Sequence, residues 1–311
     1  MGDETILSLA HEALEHWGGA DPKLISNREN AVFKAQTSDG VIALRVHRPG
    51  YQNDAYIEGE LDWTAALADL GFACPRPVPS LSGALIAKLS SGHTVSAVKW
   101  ISARPIGKHG ISLRNAPQQF ERIGSLIANL HNHTDTLSRD YSRPTWMVED
   151  LLGDTPHWGK FWQNPALNKS EINLVHAACQ HARDVLTHQA DLDIGLIHAD
   201  LMQENILEDQ NGLKLIDFDD SGVGFRLYDL GTALVQHTES SAYKEIQAAL
   251  WQGYSAHRKA ILPSRDILPL FTMLRGMASA GWIISRAAQN DPIQRVYVDR
   301  MLRTISNCVT S

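Results

Sequence analysis

The chain has 311 residues, of which 43% are hydrophobic and 20% are charged. These values are typical of a soluble globular chain that is long enough for one large core or two smaller ones. The formal net charge of −7 argues against a nucleic-acid-binding surface as the main function.

The sequence shows no disulfide framework and no targeting segment. Cys74, Cys179 and Cys308 are far apart and include no C-x-x-C pair, which favours free thiols in a reducing compartment. The acidic start of the sequence lacks the basic and apolar regions of a signal peptide. An apolar stretch at residues 267–284 is interrupted by Arg275, which indicates a buried helix rather than a membrane span. We therefore expect a cytoplasmic protein with no membrane partner, and the sequence leaves its oligomeric state open.

The first part of the chain is predicted to be rich in strands. Apolar residues at helical spacing predict a helix over residues 6–17, and a second helix is predicted over residues 57–70. Gly, Asn and Pro separate the apolar runs that predict strands at residues 30–35, 41–46, 84–89 and 95–101. Residues 1–101 are therefore expected to form a small lobe with a sheet.

Helical periodicity dominates from about residue 117 onward. The first predicted helix has Phe120, Ile123, Ile127, Leu130 and His131 on one face. Further helices are predicted at residues 171–189, 230–238, 242–257, 265–288 and 292–308. Residues 102–116 contain Gly and Pro and are expected to follow a hinge. Residues 102–311 are therefore expected to form a second, mainly helical lobe.

The most specific pattern lies in residues 195–219. His198, Asp200 and Asn205 form H-x-D-x-x-x-x-N, and Asp217 follows within I-D-F-D. Apolar runs joined by an Asn-Gly turn predict a hairpin that brings Asn205 and Asp217 together at its open end. An Asp beside a hydroxyl group, with oxygen ligands for Mg²⁺ close by, is the arrangement that phosphoryl transfer from a nucleotide uses.

Each of these residues, taken singly, is also compatible with a simpler role. An isolated Asp in a loop is more often a cap or a turn residue, and H-x-D also suits a metal hydrolase or a buried His with a carboxylate partner. The joint pattern favours phosphoryl transfer, with Asp200 as the group that orients and deprotonates the acceptor hydroxyl. Asp219 is a possible further metal ligand. His198 is expected to brace the loop by hydrogen bonds.

Three segments between Gly195 and Leu230 resemble motifs of the superfamily of aminoglycoside phosphotransferases, choline kinases and type II homoserine kinases. These segments are G-L-I-H-A-D, L-I-D-F-D-D and Y-D-L. This resemblance implies an α+β, protein-kinase-like fold with a small antiparallel-sheet lobe and a mainly helical lobe. It also implies ATP and Mg²⁺ as cofactors. The loop most often begins H-G-D in the family, and Ala199 replaces that Gly here. The resemblance implies that Asp229 braces the loop, while an N-cap of the next helix is the alternative.

The resemblance also implies a nucleotide site in the first lobe. Arg45 stands where the third strand of a kinase places a Lys on the α- and β-phosphates, and Arg also binds phosphate; a solvent-facing strand residue is the alternative. Glu60 is the preferred partner of Arg45, because it shares a helix face with Ile57, and Glu58 is the second choice.

The contacts of the nucleotide beyond Arg45 are less defined by the sequence. Residues 26–33 correspond to the phosphate-covering loop but contain no Gly. Whether this loop binds the phosphates is therefore not determined by the sequence. The adenine is expected beside the backbone of Lys99, Trp100 and Ile101, and Trp100 also suits core packing.

The acceptor is expected to be a small molecule with a hydroxyl group. Acidic residues near the motif, among them Glu204 and Asp220, favour an acceptor with an amine, such as an amino alcohol or the amino acid homoserine. The aromatic residues at 158–162 are expected either to line the acceptor pocket or to pack under a loop. The predicted function is therefore an ATP- and Mg²⁺-dependent small-molecule kinase; the alternatives are a protein Ser/Thr kinase of the same fold and an inactive nucleotide-binding regulator.

Overall fold

The computed structural model describes residues 3–108, 113, 115–189, 191–260 and 265–309. Its helices are α1 (Asp3–Glu15), α2 (Asp54–Asp69), α3 (Ala116–Asp135), α4 (Val148–Leu152), α5 (Lys169–His188), α6 (Arg226–Val235), α7 (Tyr243–His257), α8 (Leu268–Trp282) and α9 (Pro292–Val309). Its strands are β1 (Ala20–Asn27), β2 (Ala31–Thr37), β3 (Gly40–Val46), β4 (Ile86–Lys88), β5 (Thr94–Lys99), β6 (Arg104–Pro105), β7 (Thr145–Trp146), β8 (Ile194–Ile197), β9 (Ile206–Asp209), β10 (Gly212–Leu215) and β11 (Gly222–Phe225). Single turns of 3-10 helix cover Phe161–Gln163, Arg265–Ile267 and Ile283–Ser285.

The chain forms two compact units. The first comprises Met1–Arg104, Leu137–Arg143 and Asp209–Asp219, and the second comprises Pro105–Thr136, Pro144–Glu208 and Asp220–Ser311. The domain limits expected from the sequence, 1–101 and 102–311, stay a prediction. Part of the predicted hinge segment, residues 109–112 and 114, lies outside the described residues.

The first unit is built on a five-stranded antiparallel sheet in the order β1-β2-β3-β5-β4. Leu44 of β3 packs with Leu14 of α1 in the larger hydrophobic core, on one face of the sheet. Ala43 packs with Ile57 and the rest of a smaller cluster from α2 and β5. Because side chains alternate along a strand, Arg45 shares the face of Ala43 and points to the same side as α2.

The sheet confirms the small antiparallel lobe expected from the sequence, with one additional strand. β1 is not predicted, because Asp21 and Pro22 interrupt its pattern. Asp21 has a φ of +54°, and the pairing of β1 with β2 shifts register at two places. A strand with such irregularities lacks the regular alternation on which a prediction depends.

The second unit is mainly helical. α3 and α7 approach so closely at Gly124 and Gly253 that a Cβ on either glycine would overlap the backbone of the other helix. A small sheet in the order β7-β11-β8 accompanies these helices, and β8 leads into the H-x-D motif. β7, β11 and α4 are not predicted, since each has only two to five residues and shows no full period.

α8 is a buried helix of the second unit. With the 3-10 turns at its two ends it covers Arg265–Ser285, a helical segment with the length and apolar content that a membrane span also has. Within the protein, 89% of its apolar window is buried. α8 is thus packed as a core helix, as the sequence predicted. The cytoplasmic location stays a prediction.

Candidate active site

The H-x-D motif occupies the loop between β8 and β9. The backbone N–H groups of His198 and Ala199 donate hydrogen bonds to the two carboxylate oxygens of Asp229, at 2.9 and 2.8 Å. Ala199 has a φ of +64°, in the left-handed region that favours glycine. The two bonds to one carboxylate hold the loop in this conformation.

His198 is fully buried behind the loop. Its Nδ1 accepts a hydrogen bond from the backbone N–H of Asp200 at 3.3 Å. This contact is internal to the loop, in agreement with the predicted role of His198 as a brace.

Asp229 braces the H-x-D loop and is not an N-cap. α6 begins at Arg226 after the N-cap residue Phe225, so that Asp229 lies inside the first turn of the helix. The predicted start of α6 at residue 230 is wrong. The prediction followed the apolar pattern after Asp229, whereas the first turn of the helix lies before that pattern and begins directly after β11. The alternative of an N-cap role for Asp229 is excluded by the same helix start.

Two further helices support Asp229. Nε2 of His131, on α3, lies 3.1 Å from Oδ2 of Asp229, and Nδ1 lies 3.0 Å from the hydroxyl of Tyr254 on α7. Burial lowers the pKa of His131 well below 6.5, so that the imidazole is neutral. When Asp229 is ionised, a neutral ring with these partners donates from Nε2 to Asp229 and accepts the Tyr254 hydroxyl at Nδ1.

The carboxylate of Asp200 is held on both of its oxygens. Oδ2 accepts a hydrogen bond from Nδ2 of Asn205 at 2.9 Å, and the same amide nitrogen also bonds to the carbonyl of Asp200. Oδ1 accepts from Nη2 of Arg275 at 2.8 Å, while the Asp200 side chain remains 23% exposed. A carboxylate has about four lone-pair positions, so each oxygen retains one for a hydroxyl donor.

In the first unit Arg45 forms a buried ion-pair cluster. Its Nη1 lies 2.7 Å from Glu60 and 2.9 Å from Asp219, and its Nε donates to the Ser96 hydroxyl. The structure therefore confirms Glu60, and not Glu58, as the partner of Arg45, and Arg45 does not face solvent. Burial by itself lowers the pKa of Arg45, but the two carboxylates reverse this effect and raise the pKa above its ordinary value. Arg45 is thus a fixed positive charge.

Asp219 is engaged on both of its carboxylate oxygens. Oδ1 accepts from Arg45, and Oδ2 accepts a short hydrogen bond from the amide of Asn30. Asn30 immediately precedes β2, in the segment predicted to cover the phosphates. Arg143 and Gln52 bond to the backbone carbonyl of Asp219. The glycine-free loop is thereby tied to the I-D-F-D motif by side-chain hydrogen bonds.

Three other predicted residues of the nucleotide site lie at the end of β5. The N–H groups of Lys99 and Trp100 donate to the carbonyls of Arg76 and Val41, at 2.8 and 3.0 Å. The Trp100 ring is partly exposed, and the ammonium group of Lys34 lies 4.7 Å from its centroid. Contact of adenine with Lys99, Trp100 and Ile101 stays a prediction.

The predicted metal ligands come from both units. Asn205 belongs to the second unit, whereas Asp217 and Asp219 belong to the first. Asp217, two residues after the end of β10, has a φ of +67°. The described part of the chain contains no group of three or more His, Cys, Asp or Glu side chains arranged to hold a metal ion. The metal site stays a prediction.

Several residues around the motif could not be predicted from the sequence. Arg275 stands out there only as a charged residue that interrupts an apolar stretch. His131 lies on an apolar helix face, but nothing local links it to Asp229, 98 residues away in the chain. Contacts of this kind depend on the packing of helices and leave no local pattern.

Comparison with known proteins identifies the family. The phosphotransferase enzyme family matches residues 22–263, and the chain therefore belongs to this family. Amicoumacin kinase of Bacillus subtilis (strain 168) is 21% identical over 83% of this chain and 78% of that protein. Homoserine kinase of Rhizobium meliloti (strain 1021) is 26% identical over 80% of this chain and 73% of that protein.

Solved structures agree with the family assignment. The microcompartment-associated aminopropanol kinase has a TM-score of 0.85 and 27% identity, and the likeness covers 97% of this chain and 96% of that one. An amicoumacin kinase in complex with AMP-PNP, Ca²⁺ and Ami has a TM-score of 0.76 at 19% identity, over 99% and 94% of the two chains. The α+β, protein-kinase-like fold is confirmed, and the chain is a phosphotransferase of a family that includes small-molecule kinases.

Proposed function

We propose that the protein transfers a phosphoryl group from ATP, with Mg²⁺, to the hydroxyl of a small metabolite that also carries an amine. The observation that supports this most directly is the Asp200 carboxylate. It is partly exposed, fixed on both oxygens, and placed in a loop that Asp229 braces. Fixed geometry at the attacking hydroxyl is a main source of rate in phosphoryl transfer.

Asp200 accepts the hydrogen bond of the acceptor hydroxyl in this proposal. A free lone pair on Oδ1 or Oδ2 receives the O–H, which orients the oxygen for attack. Asp200 takes the proton as the bond from this oxygen to the γ-phosphorus forms, while the bond from that phosphorus to the leaving oxygen of ADP breaks. Asn205 holds one oxygen of this carboxylate from within the same loop.

Arg45 contacts the phosphates of ATP in this proposal. Its Nη1 and Nε are engaged by Glu60, Asp219 and Ser96, whereas Nη2 has no hydrogen-bond partner among the described residues. A buried N–H group without an acceptor is costly, and a phosphate oxygen is a strong acceptor for it. Glu60 and Asp219 then serve to hold the guanidinium in place.

The donor set suits a hard divalent cation. Nδ2 of Asn205 is engaged with Asp200, which leaves Oδ1 of the amide as a metal ligand, and Asp217 supplies a carboxylate. Asp219 contributes only through the lone pairs that Arg45 and Asn30 leave free. When bound, Mg²⁺ neutralises charge on the phosphates and orients them.

The acceptor class is supported by the relatives. Aminopropanol and homoserine, which give their names to two of the similar kinases, each combine a hydroxyl group with an amine. These compounds lead the set of acceptors to be tested, and ethanolamine, choline and an aminoglycoside extend it.

The proposal is tested by measuring ADP formation with Mg·ATP and each acceptor. We expect turnover with one amine-bearing alcohol, and we expect Asp200→Ala to lower kcat by at least about 100-fold, the usual contribution of a general base. Asp154→Ala removes an exposed carboxylate of the same unit and serves as the matched control with unchanged kcat.

Three outcomes would contradict the proposal. A near-normal kcat in Asp200→Ala would remove the role of this residue. Phosphorylation of a generic protein and of no small acceptor would identify a protein kinase. Binding of ATP without turnover on any acceptor would identify a nucleotide-binding regulator.

A further inference from the structure

Arg275 is a charged residue at the centre of an apolar helix. α8 is buried along almost its whole length, and Arg275 itself is 4% exposed. A buried arginine requires partners for its charge, and replacement of such an ion pair by apolar residues is often neutral or stabilising for the fold. The position of Arg275 is therefore poorly explained by a contribution to stability alone.

The guanidinium of Arg275 is fixed by three contacts. Nη2 donates to Oδ1 of Asp200 at 2.8 Å, and Nη1 donates to the hydroxyl of Ser279 at 2.7 Å, one turn along the same helix. The guanidinium carbon also lies 4.4 Å from the ring centroid of Trp158. Stacking on an aromatic face and a donor at each end leave a planar guanidinium little freedom to move.

Trp158 is itself held on α8 by close backbone packing. A Cβ at Gly281 would lie 2.5 Å from the carbonyl oxygen of Gly159 and 2.9 Å from that of Trp158. Asn164 donates to the carbonyl of Ala280 at 2.8 Å. The segment of residues 158–164 therefore rests on the same helix that carries Arg275, and it fixes the ring against which the guanidinium stacks.

We infer that Arg275 is a positioning residue that sets the orientation of the Asp200 carboxylate for the acceptor hydroxyl; this inference rests on the proposed function. Asn205 holds one carboxylate oxygen from within the loop, and Arg275 holds the other from α8. With only Asn205 present, the carboxylate can turn about its Cβ–Cγ bond. With both donors, the remaining lone pairs have one defined direction.

The expected signature is a fall in kcat without a matching change in KM. Misplacement of a catalytic group by about 1 Å can cost a factor of about 100 in rate, so we expect Arg275→Met to lower kcat by about 10- to 100-fold. KM for the acceptor and for ATP should change by less than about 3-fold, because neither molecule contacts Arg275 in this inference. Arg275→Lys restores one charged donor without the fork or the stacking, and its kcat should lie between those of Arg275→Met and the wild type.

The experiment includes a control on the fold and two matched variants. The melting temperature of Arg275→Met should stay well above the assay temperature, because Asp200 is 23% exposed and keeps its hydrogen bond from Asn205, so that its charge is not left buried without a partner. Arg300→Met removes another buried arginine, one on α9 that stacks on Tyr297, and it should keep wild-type kcat. Ser279→Ala removes only the Nη1 contact and should lower kcat less than Arg275→Met does.

Each of the remaining outcomes is decisive. Unchanged kcat in Arg275→Met, or an equal loss in Arg300→Met, would overturn the inference and leave the proposed function intact. A rise in acceptor KM with kcat retained would make Arg275 an acceptor-binding group instead. Absence of acceptor turnover in the wild type would overturn the proposed function, and this inference with it.

Discussion

Ala199 has a backbone conformation that is unfavourable for most residues. Its φ of +64° lies in the left-handed region, its side chain is fully buried, and the family most often has Gly at this place in the loop. The strain is of the order of 1–2 kcal/mol for a residue with a Cβ, and the two N–H bonds to Asp229 offset it. The alanine is thus tolerated because the surroundings of the loop fix its conformation.

This conformation predicts an asymmetry between two substitutions at position 199. Ala199→Gly relieves the strain but loses a buried methyl group and adds chain entropy, so its free energy of unfolding should stay within about 1 kcal/mol of the wild type. Ala199→Val places a β-branched side chain at positive φ and should lower the free energy of unfolding by at least about 2 kcal/mol. Urea denaturation of the three proteins checks this. Equal stability of the valine and glycine variants would contradict the conformation of the loop.

At the scale of single residues, the sequence indicates the H-x-D motif but not the distant residues that contact it. Asp200 and Asn205 are recognisable because their spacing is local to one loop. Arg275 and His131 act from 75 and 98 residues away from their partners, and only the packing of α8 and α3 brings them there. No local sequence pattern indicates a contact between residues so far apart in the chain. The partner of Arg275 therefore could not be predicted from the sequence.

At the scale of elements, the H-x-D loop is supported by the first turn of α6 and, through His131 and Tyr254, by α3 and α7. Burial raises the pKa of Asp229 to about 7, although the N–H groups of His198 and Ala199 favour its charged form. The ordinary value is 3.8. Between these two values the folded protein retains a proton that the unfolded chain has released. The contribution of Asp229 to stability is therefore complete below about pH 4 and is lost as the pH rises through 7.

We expect this dependence of stability on the protonation of Asp229 to appear when the wild type and Asp229→Asn are compared. As the pH rises from 4 to 7, the free energy of unfolding of the wild type should fall relative to that of the variant by about 1 kcal/mol per pH unit. The asparagine variant has the same shape and no titrating group, so the difference isolates Asp229. Denaturant unfolding at four pH values measures it. A difference that does not vary with pH would show that Asp229 keeps an ordinary pKa.

Elements with a full period were predicted well, and short elements were not. α1, α2, α5, α7 and α9 each end within about three residues of the predicted limits, because each shows several turns of apolar periodicity. α6 begins four residues before its predicted start, where β11 passes directly into the helix. That first turn contains Asp229, which accepts the N–H groups of His198 and Ala199.

At the scale of the whole molecule, the first unit is assembled from three separate segments of the chain. Residues 137–143 and 209–219 join the sheet unit formed by residues up to 104. Arg143 bonds to the carbonyl of Phe218, and Trp63 of α2 packs edge-on against the Phe218 ring at 5.3 Å. The sequence predicts a single domain boundary near a hinge, because the composition of residues 137–143 and 209–219 does not show that they belong to the first unit.

The assignment of Asp217 and Asn205 to a metal predicts that nucleotide binding stabilises the whole molecule in a metal-dependent way. A ligand present at about 100 times its Kd adds about 2.7 kcal/mol to the free energy of unfolding, which for a chain of this size raises the melting temperature by about 4 °C. We expect this rise with AMP-PNP and Mg²⁺ together, and a much smaller one with AMP-PNP and EDTA. Asp217→Asn should lose the difference between the two conditions.

The choice of asparagine at position 217 makes this test specific. Asn adopts positive φ more readily than other residues with a side chain, so the variant should retain the backbone at +67° while it loses the charge that binds the cation. Asp39→Asn, at an exposed turn between β2 and β3, is the matched control and should keep the full metal-dependent shift. A shift of the same size with and without Mg²⁺ in the wild type would show that nucleotide binding does not depend on the metal. A metal-dependent shift that survives in Asp217→Asn would instead move the cation to other ligands, and Asp219 would then be the first to be replaced.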